Sequence, residues 1–384
     1  MQTTEILFAM LRYVVCGEAL TEEIKKACTP GMLEAVYALA QKHDLAHLVA
    51  HAVEGLDIPD CEVLKNLKNA KIRAIYRYAR MDYEYARICQ ILEAARIPFI
   101  PLKGSVLRQY YPEPWMRTSG DIDVLVKEDD LAHAVRELEA QGWTADSQLQ
   151  YQNICLHASS GVLLELHFNI RVKMDAADAV MDAVWQNVIC EEGKQYTYRQ
   201  TDPFFICHHV AHMAKHVLVG GCGIRPFLDI WLLIQRLPPD DKILQALCQE
   251  AHLGVFFQQA LLLANVWFGK EQHTQMSEKL ETFVLNGGVY GSVSNKVVVS
   301  QAIVGGKSRH FLHRMFVPYE EMKRMYPVLK EKGWLMPAYQ VVRWIQALFD
   351  GRLQKAVSEM KVNQSTTEEQ RRQTDLLLRA IGLR

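Results

Sequence analysis

This 384-residue sequence has no long hydrophobic run. Its most apolar window, 253–268, contains two glutamines and an asparagine, and it is shorter than the roughly 20 residues that a membrane-spanning helix needs. Internal repeats and low-complexity tracts are also missing. We therefore expect no membrane segment and no repeat architecture.

The chain also has almost no net charge. Its 43 Lys and Arg residues balance 44 Asp and Glu residues, which gives a formal charge of −1 and a pI near 6.9. Proteins that bind long nucleic acids usually carry an overall basic domain. The balance therefore favours small substrates over long polynucleotides, although it still allows local basic patches.

Paired cysteine motifs are missing as well. Nine cysteines are scattered without a C-x-x-C motif, and an odd number does not favour a disulfide framework. The first twelve residues lack a basic start, and Arg12 interrupts their apolar stretch, so we expect no signal peptide. These features predict a cytoplasmic protein with reduced thiols.

What is present begins with helical periodicity. The length predicts two or three domains, and apolar residues at helical spacing through 6–15, 32–53 and 63–91 predict an N-terminal helical bundle over residues 1–95. Three histidines at four-residue spacing are predicted to line one helix face: His43, His47 and His51. A structural or solvated role is favoured over a metal site, because no cysteine or carboxylate completes one.

The last helical run of this bundle mixes basic and aromatic side chains between Lys65 and Arg87. Such a stripe is able to contact a polyanion. Asp82 and Glu84 dilute its charge, so a solvated helix face is the favoured interpretation.

The stretch 97–126 carries the chemistry. A short apolar run, 97–102, ends at Lys103, Gly104 and Ser105, and apolar residues then recur at helical spacing, which predicts strand, tight turn and helix. Gly104 permits close backbone approach, and free N–H groups at the start of a helix attract phosphate. This turn is therefore a candidate phosphate-binding element.

Two acids follow on the next apolar run, 121–126. Side chains alternate between the faces of a strand, so Asp121 and Asp123 project from one face, roughly 7 Å apart along the backbone. Like charges at this range repel unless a cation lies between them. Carboxylate oxygens favour Mg²⁺, which completes its shell with waters and substrate phosphates. The alternative is a solvent-exposed strand entry.

Gly104-Ser105 followed by Asp121-Ile122-Asp123 resembles the signature of the DNA polymerase beta-like nucleotidyltransferase superfamily. The wider pattern resembles more narrowly the bacterial family known as uncharacterised nucleotidyltransferases. The residues that carry this narrower resemblance are Leu102-Lys103-Gly104, Tyr111-Pro112, Arg117 and the run Asp121–Val126. The spacer from Ser105 to Asp121 is longer than in many superfamily members, because it includes a rigid, proline-bearing loop.

The resemblance implies an α+β fold. A polymerase beta-like nucleotidyltransferase core, with a mixed sheet and flanking helices, would occupy 96–172 between the N-terminal bundle and a C-terminal helical domain, 173–384, that completes the nucleotide cleft. Within the core, the runs 151–158 and 162–170 flank a Ser-Ser-Gly turn, which predicts a hairpin.

The superfamily uses a third carboxylate on a neighbouring strand, and the resemblance places that role on Glu165. A lone acid among aliphatic residues on a central strand would be costly to bury without a partner. By strand alternation His167 faces the same side. It either orients Glu165, contacts a phosphate or is a core histidine.

The resemblance also implies contacts to the triphosphate. Lys103 would act as a point charge and Arg117 as a fork, while Ser105 would donate to the β- or γ-phosphate. Either cation could instead pair with a nearby acid, Glu113 or Asp121.

A histidine-rich helix predicted at 203–218 is similar to a segment that trails the catalytic core in the same family. By that resemblance His212, Lys215, Arg225 and Asp229 would contact the phosphate, base or acceptor. A buried polar network between two helices is an equally weighted alternative. Zinc binding by the histidines of this helix is disfavoured, because no thiolate or carboxylate partner is evident.

The implied activity is transfer of an NMP group from an NTP to a hydroxyl of a small molecule, peptide or protein, with release of pyrophosphate. Two Mg²⁺ ions, or Mn²⁺, would be held by Asp121, Asp123 and Glu165, and either Asp123 or Glu165 is the candidate base. One alternative is a toxin- or defence-type enzyme that acts on protein or tRNA, the only nucleic acid acceptor expected. The other is a silent nucleotide-binding scaffold, against which the three carboxylates argue.

Overall fold

The structure, a computed structural model, describes residues 1–147, 149–237, 240–288, 291–349 and 352–384. It divides into two compact units: Met1–Met213 with Ile224–Thr274, and Ala214–Gly223 with Gln275–Arg384. The domain boundaries expected from the sequence, at 95/96 and 172/173, stay predictions.

Helices dominate the first 95 residues, as their periodicity predicts. They are α1 (Thr3–Leu11), which a π-helical turn (Arg12–Cys16) extends, α2 (Glu22–Ala27), α3 (Pro30–Lys42), α4 (Ala46–Val53) and α5 (Glu62–Ala94). Local sequence sets their starts: Thr29 caps α3 through its hydroxyl, and Pro30 occupies the first turn. The 33-residue α5 buries a single stripe, in which Val63, Leu67, Ala74, Met81, Ile88 and Leu92 repeat at helical spacing.

The continuous helix expected across 32–53 is wrong, because the chain breaks between α3 and α4. Asp44 takes a left-handed φ of 55°, a conformation that Asp tolerates better than most residues. Its carboxylate accepts hydrogen bonds from Thr118 Oγ1 and Arg225 Nη1, each at 2.7 Å. These distant partners stabilise a break that local periodicity does not show.

The histidine ladder expected on one helix is therefore wrong as well. His43 ends α3, whereas His47 and His51 lie on α4. Their partners differ: His43 Nδ1 accepts from the Ile224 amide at 3.3 Å, and His47 Nε2 contacts the Met116 carbonyl at 2.8 Å. These two imidazoles serve separate tertiary contacts.

A five-stranded mixed sheet follows, so the α+β fold class is confirmed. Its strands are β1 (Phe99–Pro101), β2 (Ile122–Val126), β3 (Thr144–Ala145), β4 (Asn153–His157) and β5 (Leu163–His167). Their order is β1-β2-β5-β4-β3, with β2 and β5 parallel and the other neighbours antiparallel. The predicted hairpin is the β4–β5 pair, and the predicted strand, turn and helix are β1 followed by α6 (Lys103–Leu107).

The two faces of this sheet differ in character. Ile122, Val124 and Val126 of β2 join Leu164 and Leu166 of β5 in a core against α5 and α7 (Leu131–Ala140). Alternation along the strands places the intervening side chains on the other face. One face thus supplies hydrophobic stability, and the other is free to carry polar chemistry.

The rest of the first unit is a two-stranded antiparallel ribbon and further helices. These are α8 (Asp175–Asp182), β6 (Val188–Cys190), β7 (Tyr198–Gln200), α9 (Asp202–Leu218), whose last turn falls in the second unit, α10 (Arg225–Arg236), α11 (Asp241–Glu250) and α12 (Gly254–Phe268). The apolar window noted in the sequence is α12, which buries Trp267 and Phe268. Within the described segments, no helix has the length and hydrophobicity of a membrane span.

The second unit is helical. Its elements are α13 (Gln275–Gly287), α14 (Val293–Val304), α15 (Lys307–Met315), α16 (Tyr319–Met325), α17 (Met336–Phe349), α18 (Arg352–Ser365) and α19 (Glu368–Ala380). Helix α14 packs against α18 and α19, and the buried Gln301 side chain donates to Asn363 Oδ1 at 2.7 Å. Polar and apolar contacts together hold this bundle.

Candidate functional site

Two carboxylates meet on the polar face of the sheet. Because β2 and β5 are parallel neighbours, Asp123 and Glu165 lie in register side by side. Asp123 is 4% exposed, whereas the Glu165 side chain is 26% exposed. The alternation of side chains along each strand and the pairing register together place these two acids side by side on one face of the sheet.

Positive groups compensate these acids. Lys103 Nζ donates to Asp123 Oδ1 at 2.8 Å, and His167 Nε2 contacts the same oxygen at 2.8 Å. His167 Nε2 also lies 3.3 Å from Glu165 Oε2. His167 therefore contacts both carboxylates. The three roles considered for it from the sequence stay predictions.

The pKa values follow from these contacts. Burial would raise the pKa of Asp123, but the charges and hydrogen bonds of Lys103 and His167 outweigh it and hold this pKa well below its usual range. The hydrogen bond from His167 lowers the pKa of Glu165. Burial would lower the pKa of His167, yet the two carboxylates raise it. Both acids are therefore ionised at neutral pH.

Asp121 lies immediately before β2, where the charges of Asp123, Glu165 and Lys103 act on its carboxyl group. Burial, followed by the negative charges of Asp123 and Glu165, raises the pKa of Asp121 to about 6. Three carboxylates thus share this region with two positive groups, and negative charge is in excess. An excess of this kind favours a bound cation.

Potential metal ligands converge at the same point. Asp123, Glu165 and His167 each offer one ligand atom, and these three atoms lie within 4.8 Å of one another. In the described part of the chain, this is the one group of three or more such residues that could hold an ion. This group contains His167 where the sequence analysis names Asp121. The carboxylate oxygens of this group are hard ligands of the kind that bind divalent cations.

The Lys103-Gly104-Ser105 turn adjoins these acids. The Leu102 amide donates to the Asp123 carbonyl at 3.0 Å, which fixes the turn against β2. Lys103 has a φ of 41°, in the left-handed region that non-glycine residues rarely adopt. The Ser105 hydroxyl is buried and has no hydrogen-bond partner among the described residues. A strained lysine and an unsatisfied hydroxyl at one turn are typical of a ligand-binding element.

A protein-family model described as uncharacterised nucleotidyltransferase matches residues 31–269, well over half of the chain. The chain belongs to this nucleotidyltransferase family. The matched span contains the whole sheet and every candidate site residue. Searches of curated proteins and of solved structures gave no match.

Arg117 and Asp229, two further candidates in this family member, bind one another. Arg117 Nε and Nη2 donate to the two oxygens of Asp229 at 2.7 and 2.8 Å, and the Tyr111 hydroxyl donates to Asp229 Oδ1 at 2.7 Å. Burial would raise the pKa of Asp229, but Arg117 lowers it. The partner of Arg117 is therefore a distant acid and not one of the nearby acids, Glu113 and Asp121, considered from the sequence.

Arg225 also takes part in a tertiary contact. Its Nη1 donates to Asp44 Oδ2 at 2.7 Å, to Thr118 Oγ1 at 2.9 Å and to the Thr118 carbonyl at 3.0 Å. Arg225 and Asp229 thus contact the loop before β2 and the break after α3, which differs from the network between two helices considered from the sequence. Their contact with nucleotide stays a prediction.

His212 and Lys215, the remaining candidates, lie half-buried on α9, and their contact with nucleotide also stays a prediction. Nearby on the same helix, burial and then the charge of Lys103 lower the pKa of His208 to about 3. His208 is therefore neutral, and its Nδ1 lies 3.2 Å from Gln200 Nε2.

Sequence reasoning missed residues that hold the turn in place. Arg108 is buried, with its Nε donating to the Gly104 carbonyl at 3.0 Å and its Nη2 to Ser119 Oγ at 3.2 Å. Its position one helical turn after Gly104 is the signal that could have identified it. No local signal identifies Ser119, which lies 11 positions after Arg108 in the chain.

Proposed function

We propose that this chain is a metal-dependent nucleotidyltransferase that moves an NMP group from an NTP to an acceptor hydroxyl and releases pyrophosphate. The observation that supports this proposal is the pairing of Asp123 with Glu165 on parallel strands, directly beside the Lys103-Gly104-Ser105 turn. Family membership supports the same reaction class. The acceptor class proposed is a hydroxyl-bearing small molecule, peptide or protein.

The acidic residues fit a divalent cation. Asp121, Asp123 and Glu165 exceed the positive charge of Lys103 and His167, and after burial the charges of the other two carboxylates contribute to the raised pKa of Asp121. These three acids would hold Mg²⁺ or Mn²⁺. Such an ion, when bound, lowers the pKa of the acceptor hydroxyl and neutralises charge on the departing pyrophosphate.

Residues of the chain would perform the remaining work. Lys103 Nζ donates a hydrogen bond to Asp123 Oδ1. Once another positive charge balances Asp123, the ammonium group is free to contact the triphosphate. The Ser105 hydroxyl, which has no partner among the described residues, donates to the β- or γ-phosphate. His167 keeps the two strand carboxylates in their relative positions.

The acceptor proton needs a base, and Glu165 suits that role better than Asp123. The Glu165 side chain is partly exposed, so an acceptor can reach it, whereas Asp123 is enclosed and bound by two cationic groups. Glu165 takes the proton from the acceptor oxygen as that oxygen bonds to the α-phosphorus and pyrophosphate leaves.

The test is a panel of the four NTPs with Mg²⁺ or Mn²⁺, with and without cell extract as a source of acceptor. We expect pyrophosphate release with one or more NTPs, its loss in EDTA, and a loss of at least about a hundredfold in Glu165→Gln, as expected when a general base is removed. The matched control is Glu128→Gln, which neutralises an exposed acid just beyond β2. If no NTP gives cation-dependent pyrophosphate release, the proposal is wrong.

A further inference from the structure

Helix α5 carries a basic segment that the proposed reaction does not use. From Val63 to Met81 it contains six Lys and Arg residues and no acid. From the sequence, Asp82 and Glu84 are expected to dilute this charge. Glu84, however, is buried and accepts hydrogen bonds from Arg87 and Ser160, so it does not neutralise the exposed face.

Several of these cations have no partner within the described segments. Lys65 and Lys71 pair with glutamates. Lys68, Arg73 and Arg77 are exposed and form no ion pair or hydrogen bond with any described residue. Unpaired guanidinium groups on a rigid helix produce a local positive potential, even though the whole chain is nearly neutral.

A depression of about 190 Å³ lies between this segment and the break after α3, with Arg73 and Arg77 among its lining residues. Ala70 and Ala74 also line it, and their side chains are small. Asp44, its one lining acid among the described residues, is already bound by Arg225 and a threonine. The free charge in the depression is therefore positive.

Exposed aromatic rings continue along the same helix. Tyr76 and Tyr83 are 66% and 65% exposed, and their seven-residue spacing places them on one helix face. Arg80 lies over the Tyr76 ring at 5.7 Å, and Arg87 lies over the Tyr83 ring at 5.9 Å. The same arrangement, an exposed ring beside a guanidinium group, therefore occurs twice along the helix.

We propose that this surface of α5, defined by Lys68, Arg73, Tyr76, Arg77 and Tyr83, binds a single-stranded polynucleotide. One phosphate enters the depression between Arg73 and Arg77, and bases stack on the two exposed rings. Aromatic rings interleaved with unpaired cations are the arrangement that binds single strands without sequence readout. A lone phosphate or phosphomonoester would use the arginines but not the rings, so the rings favour a polynucleotide.

The proposal goes beyond the transfer reaction and uses other residues. It is tested by fluorescence anisotropy with a labelled twelve-nucleotide oligouridylate, in EDTA and without NTP, so that failure of the transfer reaction does not affect the result. We expect Arg73→Gln/Arg77→Gln to weaken binding at least about tenfold and to reduce the salt slope by roughly 0.7, which corresponds to the one phosphate that the two arginines neutralise. Tyr76→Ala is expected to weaken binding at least about fivefold through lost stacking.

The matched control is Lys26→Gln/Arg136→Gln, which removes two exposed charges from other helices. Equal loss of affinity in both double variants, or no binding of the oligomer to the unmodified chain, would overturn the proposal. The proposal would also be overturned, in favour of a small-anion site, if AMP or inorganic phosphate displaced the oligouridylate and the Tyr76→Ala variant bound the oligouridylate as tightly as the unmodified chain. Unchanged thermal unfolding of every variant confirms that binding alone has been altered.

Discussion

At the scale of single residues, Gly104 shows how packing shapes the candidate site. A Cβ atom at this position would lie 2.9 Å from Ser119 Cβ and 3.1 Å from Ser119 Oγ. The sequence interpretation of Gly104 is close approach to phosphate, and the structure adds a second reason for glycine. Ser119 lies so close to the Lys103-Gly104-Ser105 turn that a methyl group at position 104 would have to displace it.

We therefore expect Gly104→Ala to destabilise the protein by about 1–3 kcal/mol, the usual range for an overpacked site. Urea denaturation measures the loss. Adding Ser119→Gly, which removes both atoms that the new methyl group would contact, is expected to restore most of it. A Gly104→Ala variant as stable as the unmodified protein would contradict this packing.

Single residues also show what the sequence can predict. Alternation along a strand places Asp123 opposite the core, and the position of Glu165 among aliphatic residues places it on a second strand; both placements are confirmed. The partner of Arg117 could not be predicted, because Asp229 lies 112 positions away. Charge complementarity alone does not choose among distant acids.

At the scale of elements, the Arg117–Asp229 pair joins the loop before β2 to α10. The side chain of Asp229 is 0% exposed, and that of Arg117 is 10% exposed. Two parallel hydrogen bonds make this a bidentate pair with defined geometry. We infer that the pair positions the loop that leads into Asp121.

Removal of one partner leaves the other as an unpaired buried charge. Asp229→Ala is therefore expected to cost about 3–5 kcal/mol of unfolding free energy. Chemical denaturation provides the measurement. Asp182→Ala, which breaks the exposed Arg171–Asp182 pair, is the control and is expected to cost no more than about 1 kcal/mol. Equal effects of the two substitutions would contradict a structural role for the buried pair.

The same pair predicts a pH dependence. The pKa of Asp229 is lower in the folded protein than the value of about 3.9 in an unfolded chain. The unfolded state therefore binds the proton first on acidification, so the stabilisation is full above the unfolded pKa and is lost as pH falls through the folded pKa. The stability difference between the unmodified protein and Asp229→Asn should shrink between pH 5 and about pH 3. A gap that widens on acidification would contradict this assignment.

Element boundaries show a similar division between local and distant causes. The turn after β1 and the β4–β5 hairpin follow local glycine signals and are confirmed. The break at Asp44 depends on Thr118 and Arg225, which no local pattern identifies. Periodicity could find the helices on both sides but not the point where they separate.

At the scale of the whole molecule, the candidate carboxylates, the adjoining turn and the α5 surface all lie in the first compact unit, 1–213 with 224–274. The parallel pairing of β2 with β5, which brings Asp123 to Glu165, joins strands that are not consecutive in the chain. Sequence resemblance implies a mixed sheet, but strand order follows from long-range packing. The pairing of the two candidate carboxylates thus depends on long-range contacts within the first unit.

Ligand binding should therefore stabilise that unit. With Mg²⁺ and a non-hydrolysable NTP analogue at about 100 times Kd, stabilisation of about 2.7 kcal/mol is expected, or a rise in Tm of about 5 °C. Differential scanning calorimetry measures this shift. EDTA or Asp123→Asn should abolish it. A shift that persists in EDTA would show that nucleotide binds without the cation.

The most direct test of the central claim measures pyrophosphate release in carboxylate variants that still fold. Asp123→Asn and Asp121→Asn remove charge from the candidate site, and Asp129→Asn removes charge from an exposed position just after the same strand. We predict that the first two abolish cation-dependent pyrophosphate release, while Asp129→Asn retains the unmodified rate. Unchanged release in Asp123→Asn, with its thermal unfolding intact, would contradict the assignment of these carboxylates to nucleotide transfer.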